Sequence, residues 1–98
     1  MTNAQIEILE KAINKYGSRF QEDICIEEMG ELIQAIVKYR RHQNSKRKNN
    51  IIEEMADVTI CLEYLKLIHN ISDEDINKMI EYKIMRTDRR IRNGDNNA

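Results

Sequence analysis

The sequence predicts an all-α fold in which four helices form one bundle. The 98-residue chain has no proline and three glycines, so it lacks the turn residues that a β-rich domain of this size requires. Charged residues make up 34% of the chain and hydrophobic residues 41%, a mixture typical of helices with one apolar and one solvated face. Apolar residues also recur at spacings of three and four along most of the chain, which is the period of an α-helix.

The first two helices are predicted over residues 4–16 and 19–41. Gly17 lies between them, at the position where a glycine commonly ends a helix. Residues 42–50 follow the second helix and contain no apolar side chain. We therefore expect this polar stretch to be a connection rather than a helix.

The third and fourth helices are predicted over residues 51–69 and 73–93. Ser72 precedes the fourth helix as a good N-cap, and Asp75 stands three residues later, in a weak variant of the capping box. Gly94 then ends the helix.

These elements predict one domain over residues 1–94 and a disordered tail over 95–98. The longest apolar run is far shorter than the ~20 residues that cross a bilayer, and the N-terminus lacks the layout of a signal peptide. Together with two cysteines in helical, core-like patterns, this predicts a cytoplasmic protein with reduced thiols.

The second and third helices carry unusually wide apolar faces. In the second helix the apolar residues cover an arc of roughly 220° at ~100° per residue, whereas a helix packed on one side needs little more than ~100°. The third helix behaves in the same way. We expect these to be central helices, covered by the first and fourth helices and by a second subunit.

An acidic pattern in the second helix is repeated in the third. The second helix reads Ile-Glu-Glu-Met-Gly-Glu and the third reads Ile-Glu-Glu-Met-Ala-Asp. The acids at positions three and six of each pattern share one helix face. Glu28 and Glu31 thus lie within or beside one apolar arc, and Glu54 and Asp57 lie in the same places on the other. We expect all four carboxylates to point towards the seam between the two helices.

Carboxylates in such a seam repel one another, and a divalent cation is the simplest compensation. Hard oxygen ligands suit Mg²⁺ or Mn²⁺. Zinc and a di-iron centre are disfavoured because the acidic stripe contains no histidine. The alternative is a set of ordinary solvated acids, although solvated positions opposite the apolar arc are already occupied by other acidic residues.

The acidic pattern resembles a family signature. Glu27, Glu28 and Glu31, followed after a spacer by Glu54 and Asp57, look like the EExxE…ExxD motif of the MazG-like nucleotide pyrophosphohydrolases, in the all-α NTP pyrophosphatase superfamily. The resemblance covers roughly residues 20–92. It implies a four-helix, MazG-like bundle that assembles through its central helices into a homodimer or homotetramer.

The resemblance also implies a reaction. Mg²⁺, or Mn²⁺ in its place, would be held by Glu28, Glu31, Glu54 and Asp57 and would bind a nucleoside triphosphate. An activated water would attack the α-phosphorus and release a nucleoside monophosphate and pyrophosphate. Glu28, or failing that Glu27, would accept the proton of the water. A solvated surface acid is the alternative role for Glu27.

Cations that bind the substrate phosphates are expected on the fourth helix. Lys83, Arg86 and Arg90 share one of its faces, where similar family members have basic residues. A solvated face that pairs with neighbouring acids is the alternative. We expect the basic residues 46–48 to belong to a mobile solvated loop, with closure over substrate phosphates as the alternative.

Two pairs of residues, one member in each central helix, give further expectations. Gly30 and Ala56 occupy equivalent positions, and their small size suggests the close approach of another helix. If the helices are antiparallel, Cys25 and Cys61 should approach each other about one turn from the acidic site.

Three functions remain open at this point. The first is a pyrophosphohydrolase acting on nucleoside triphosphates. The second is phosphoribosyl-ATP pyrophosphohydrolase, and the third is a non-catalytic helical module for assembly or metal binding. A formal net charge of -1 argues against a nucleic-acid partner, and nothing suggests a membrane partner.

Overall fold

The computed structural model describes residues 1–94, and within them it contains four α-helices and no strand. This confirms the all-α prediction for that part of the chain, while the expected disorder of residues 95–98 lies outside it. No helix among the described residues combines the length and apolar character needed to cross a membrane. The helices are α1 (Asn3–Tyr16), α2 (Ser18–Arg41), α3 (Ser45–His69) and α4 (Asp73–Arg92).

Local capping fixes most of the helix ends. Thr2 and Gln5 form a reciprocal capping box at the start of α1, with hydrogen bonds of 2.9 and 3.1 Å. Gly17 separates α1 from α2 at φ 95°, a conformation that side chains with a Cβ rarely adopt. The Ser72 hydroxyl accepts a hydrogen bond from the Asp75 amide at 3.1 Å, so the predicted N-cap of α4 is confirmed.

The prediction of a loop over residues 42–50 is wrong, because α3 begins at Ser45. Asn44 caps this helix by accepting a hydrogen bond from the Arg47 amide at 2.8 Å. The Arg47 side chain donates to the carbonyl oxygen of Lys38 at 2.7 Å, near the end of α2. These polar contacts stabilise a helical turn that has no apolar side chain to bury. Residues 46–48 therefore belong to α3 and not to a mobile loop.

The two long helices, α2 and α3, pack against each other in antiparallel orientation and form the most extensive contact in the described chain. Paired residues along the seam run in opposite directions: Cys25 with Cys61, Glu28 with Asp57, and Lys38 with Arg47. Helix α1 contacts both long helices near one end of the seam. This confirms that α2 and α3 are the central pair.

Helix α4 does not cover the central pair, contrary to expectation. It buries none of its residues and makes little contact with α1–α3. Its start is tied to α3 by Lys66, which forms ion pairs with Glu63 and, at 2.6 Å, with Asp73. Ile76 near this link lines a cavity with Leu62 and Leu65 of α3, but most apolar residues of α4 stay exposed. They include Met79, Ile80, Ile84, Met85 and Ile91, all more than half exposed.

The core of the described chain is small. Leu9, Cys25, Ala35 and Cys61 are its buried apolar residues. Large apolar side chains on the central helices stay exposed, among them Ile26, Ile33, Ile52, Met55 and Leu62. The wide apolar faces predicted for α2 and α3 are thus only partly covered by the chain itself.

Gly30 has no close neighbour within the chain. A Cβ added at this position would meet no heavy atom within 4 Å. The close approach of another helix of the same chain, which its small size suggested, is therefore not found.

A Gly30→Ala substitution should stabilise the protein. Alanine is favoured over glycine by up to about 1 kcal/mol inside a helix, and the site has room for the methyl group. The free energy of unfolding, measured by urea denaturation, should rise by that amount. The matched Ala56→Gly substitution in α3 should lower it similarly. A loss of stability in Gly30→Ala would mean that a second copy of the chain packs against this position.

Candidate metal centre

Three carboxylates converge where α2 crosses the middle of α3. Glu28 lies on α2, and Glu54 and Asp57 lie one turn apart on α3. One oxygen from each residue can be chosen so that all three lie within 4.8 Å of one another. All three residues are half-buried. The antiparallel register of the seam, acting on the repeated acidic pattern, produces this convergence.

Glu31, the fourth predicted ligand, lies at the solvent side of this group. Its side chain is exposed, one turn after Glu28 on α2. It lines a polar cavity together with Glu54. Its negative charge contributes to raising the pKa of both Glu28 and Glu54. Three of the four predicted ligands therefore converge, and Glu31 lies on their solvent side, outside the group whose oxygens lie within 4.8 Å of one another.

The electrostatic state of the cluster is unfavourable without a counter-charge. Burial is the largest cause that raises the pKa of Glu28, to about 7, and the charges of Glu31 and Asp57 add to it. The pKa of Glu54 is also raised, first by burial and then by the same two neighbours. Removal of solvent and repulsion between like charges both disfavour the ionised forms.

Two oxygen atoms of the cluster are buried without a hydrogen-bond partner among the described residues. They are the Oε2 atoms of Glu28 and Glu54. A buried polar atom that forms no hydrogen bond is costly, and native proteins rarely leave one so. Mg²⁺ prefers carboxylate oxygens and would satisfy both atoms. The donor set therefore fits Mg²⁺ or Mn²⁺, and it contains no nitrogen or sulfur ligand for zinc.

The two thiols lie next to the carboxylates in the same seam, one turn away along each helix. The Cys25 thiol donates a hydrogen bond to the carbonyl oxygen of Cys61 at 3.6 Å, so the expected approach of the two cysteines is found. Burial is the main cause that raises the pKa of Cys61 to about 12, and the adjacent Cys25 thiol contributes. Thiolates and not thiols bind metals and attack electrophiles, so the raised pKa of Cys61 disfavours such chemistry at that thiol. Both buried cysteines pack beneath the acids.

Glu27, the alternative catalytic residue, is separate from this cluster. It is exposed and does not belong to the three-carboxylate group, although it directly precedes Glu28 in the chain. Successive residues of a helix point about 100° apart, which explains why only one of them enters the seam.

None of the predicted phosphate-binding residues of α4 lines the cavity beside the carboxylates. Lys83 is exposed, while Arg86 and Arg90 are half-buried. The polar cavity beside the cluster is lined by residues of α2 and α3 alone. The Nε atom of Arg86 is buried without a hydrogen-bond partner among the described residues.

Sequence analysis missed the polar residues that line the cavity beside the acids. Gln34, Lys38 and Asn50 lie there next to Glu31 and Glu54. A helical signal pointed to two of them. Lys38 comes two turns after Glu31 on α2, and Asn50 comes one turn before Glu54 on α3, so each shares a face with an acid of the cluster.

Thermal stability should depend on pH and Mg²⁺ in a coupled way. The pKa of Glu28 is raised in the fold from 4.5 to about 7, so its ionisation opposes folding and stability is lost as pH rises through that interval. Without metal, the melting temperature should therefore fall between pH 5.5 and pH 8. Mg²⁺ binds the ionised cluster, so its stabilising effect should be larger at pH 8.

Differential scanning calorimetry with and without Mg²⁺ measures both effects. The Glu28→Gln variant, which carries no charge at this position, serves as the control and should show a weaker dependence on pH. A melting temperature that Mg²⁺ leaves unchanged at pH 8 would contradict the metal assignment.

The chain was compared with protein-family models, with curated proteins and with solved structures, and none of them matched.

Proposed function

We propose that the protein is a Mg²⁺-dependent nucleoside triphosphate pyrophosphohydrolase that converts an NTP or dNTP into its monophosphate and pyrophosphate. The convergence of Glu28, Glu54 and Asp57, with oxygens within 4.8 Å of one another, carries the proposal. Two buried carboxylate oxygens without a partner support it, as does the EExxE…ExxD pattern from which these residues come. Mn²⁺ would substitute for Mg²⁺ because it accepts the same ligands.

The carboxylates have distinct parts in this proposal. Glu28, Glu54 and Asp57 would hold the cation from two helices, and Glu31 would complete the set from the solvent side. A divalent cation at this position supplies charge neutralisation on the phosphate oxygens and a more acidic water. The half-buried seam limits access of bulk solvent to the reacting phosphate, which strengthens these electrostatic interactions.

Glu28 is the better candidate for the base that accepts the proton of the attacking water. Its carboxylate lies inside the cluster, whereas the carboxylate of Glu27 is exposed. A general base works best when its pKa lies near the working pH, and the surroundings of Glu28 raise its pKa to about 7. Glu27 then remains a surface acid beside the site.

We also propose that the protein forms a homodimer or homotetramer through the apolar faces that the single chain leaves exposed. Ile26 and Ile33 on α2, Ile52 on α3 and Ile84 on α4 are each more than half exposed. Exposed apolar side chains that gather into a large patch on a soluble protein commonly mark an association surface. The basic face of α4 would then approach a carboxylate site of another subunit. With its free thiols, the enzyme would act on nucleotides in the cytoplasm.

Neighbouring glutamates provide a matched test of the catalytic proposal. Pyrophosphate release should be measured for a panel of NTPs, dNTPs and phosphoribosyl-ATP in the presence of Mg²⁺. Glu28→Gln should lower kcat by about 10²- to 10⁴-fold, because this is the usual contribution of a general base. The substitution also removes the charge of a proposed metal ligand. Glu27→Gln should change kcat less than about tenfold.

The panel also separates the proposed function from its alternatives. Pyrophosphate release from phosphoribosyl-ATP alone would identify the protein as a phosphoribosyl-ATP pyrophosphohydrolase instead. No release from any nucleotide by the wild-type protein would leave a non-catalytic module and contradict the proposal.

Light scattering coupled to size-exclusion chromatography tests the assembly. The mass should be two or four times the 11.7 kDa of one chain. Replacing exposed Ile33 and Ile52 with glutamate should dissociate the assembly while leaving the circular dichroism spectrum helical, because neither side chain is buried within one chain. A wild-type mass of one chain at micromolar concentration would contradict this proposal.

A further inference from the structure

A polar cleft extends away from the carboxylates between the second half of α2 and the start of α3. Next to Glu31 and Glu54 it forms a cavity of about 300 Å³. Lys38 and Asn50 line this cavity and also the next one, which has a volume of about 990 Å³. The two cavities therefore share part of their walls. Each has a size within the range of pockets that hold small molecules.

The charge of the cleft changes sign along its length. Acids lie at the metal-centre end. Beyond them two lysines, Lys38 and Lys46, together with Arg47 outnumber the one acid of that lining, Glu53. Neither lysine ammonium has an ion-pair or hydrogen-bond partner among residues 1–94, although most other polar contacts near the α2–α3 junction are formed. Arg47, for example, is held by the end of α2 and is not available to a ligand.

The helical start of α3 strengthens the positive potential at the lysine end of the cleft. Because α3 begins at Ser45, Lys46 and Asn50 stand on an ordered helix whose N-terminus is capped by Asn44. The N-terminus of a helix favours negative charge nearby, so it adds to the positive potential of the two lysines. Asn50 adds an amide in the middle of the cleft.

We infer that this cleft binds the pyrophosphate end of the substrate, with Lys38 as its main contact. The inference rests on the proposed function, since the cation site is taken to hold the phosphate at which cleavage occurs. A cleft that leads from that site to unpaired ammonium groups matches the two phosphates beyond the cleaved bond. The lining contains no aromatic side chain among the described residues, so it offers no surface on which a base stacks.

Two geometric facts favour Lys38 over Lys46 as the main contact. Lys38 lines the cavity that Glu31 and Glu54 also line, whereas Lys46 lines only the larger cavity. Lys38 is also two turns from Glu31 on one face of α2, so its ammonium follows the same groove. It is a binding residue for the leaving group and takes no part in proton transfer.

Titration of inorganic pyrophosphate into the full-length, Mg²⁺-saturated protein by isothermal calorimetry tests the inference. Lys38→Ala should weaken pyrophosphate binding about tenfold or more, the usual effect of losing a hydrogen bond between charged groups. Lys38→Arg should retain most of the affinity. Lys78→Ala is the matched control, since Lys78 is an exposed lysine of α4 paired with Glu74 at 3.2 Å. It should bind as the wild type does.

A parallel titration with Mg²⁺ alone separates this cleft from the metal centre. Lys38→Ala should keep wild-type Mg²⁺ affinity and helical content, because its side chain is exposed and contacts no carboxylate. Equal pyrophosphate affinity in Lys38→Ala and wild type would overturn the inference, as would a wild-type protein that does not bind pyrophosphate.

The inference and the proposed function can fail separately. Pyrophosphate binding that depends on Lys38, without hydrolysis of any nucleotide, would support the cleft and contradict the enzyme assignment. Nucleotide hydrolysis in which Lys38→Ala leaves both KM and inhibition by pyrophosphate unchanged would support the enzyme and overturn the cleft.

Discussion

The antiparallel contact between α2 and α3 is the constraint on which the rest of the structure depends. It aligns two copies of one acidic pattern so that Glu28 faces Glu54 and Asp57 in a half-buried seam. The same register sets Cys25 beside Cys61 below the acids and brings Lys38 to the cleft above them. Apolar packing along the seam thus holds like charges together, and the proposed divalent cation would relieve the resulting repulsion.

Repulsion between the clustered acids destabilises the fold, and the molecule has only a small hydrophobic core to offset it. Few apolar residues are buried, and α4 adds none. A small domain gains limited stability from burial, so an uncompensated cluster of acids is a serious burden for it. Metal binding and subunit association would each offset part of that burden. In our proposal, a cation at the carboxylate site and a second subunit on the exposed apolar faces would both add stability that the single chain lacks.

Sequence periodicity predicted the features that depend on local helical geometry. The four helices follow from the apolar spacing, and the N-cap at Ser72 follows from its residue type and position. The repeated acidic pattern placed its acids on one face of each helix, and the antiparallel contact then brought the two faces together. The early start of α3 was missed because its stability comes from Asn44 and Arg47, through polar contacts that hydrophobic spacing does not reveal. The position of α4 was missed for a different reason. The sequence of an amphipathic helix predicts an apolar face that needs a partner surface, but it does not indicate whether that surface belongs to the same chain or to another.

The polar cleft depends both on which residues share a helix face and on how the helices pack. Lys38 shares a helix face with Glu31, a signal that the sequence analysis did not use, and its relation to Asn50 and Lys46 depends on where α3 begins. Only the tertiary arrangement joins these residues into one surface. The residues of the proposed site thus lie along one seam, in which the acids stand between the buried thiols and the lysines.

The most direct measurement of the central claim is an anomalous difference map from crystals grown with Mn²⁺. The account predicts a peak bound by carboxylate oxygens of Glu28, Glu54 and Asp57, with Glu31 at or beside the same ion. A map with no peak at this seam, in crystals that bind Mn²⁺ elsewhere, would contradict it.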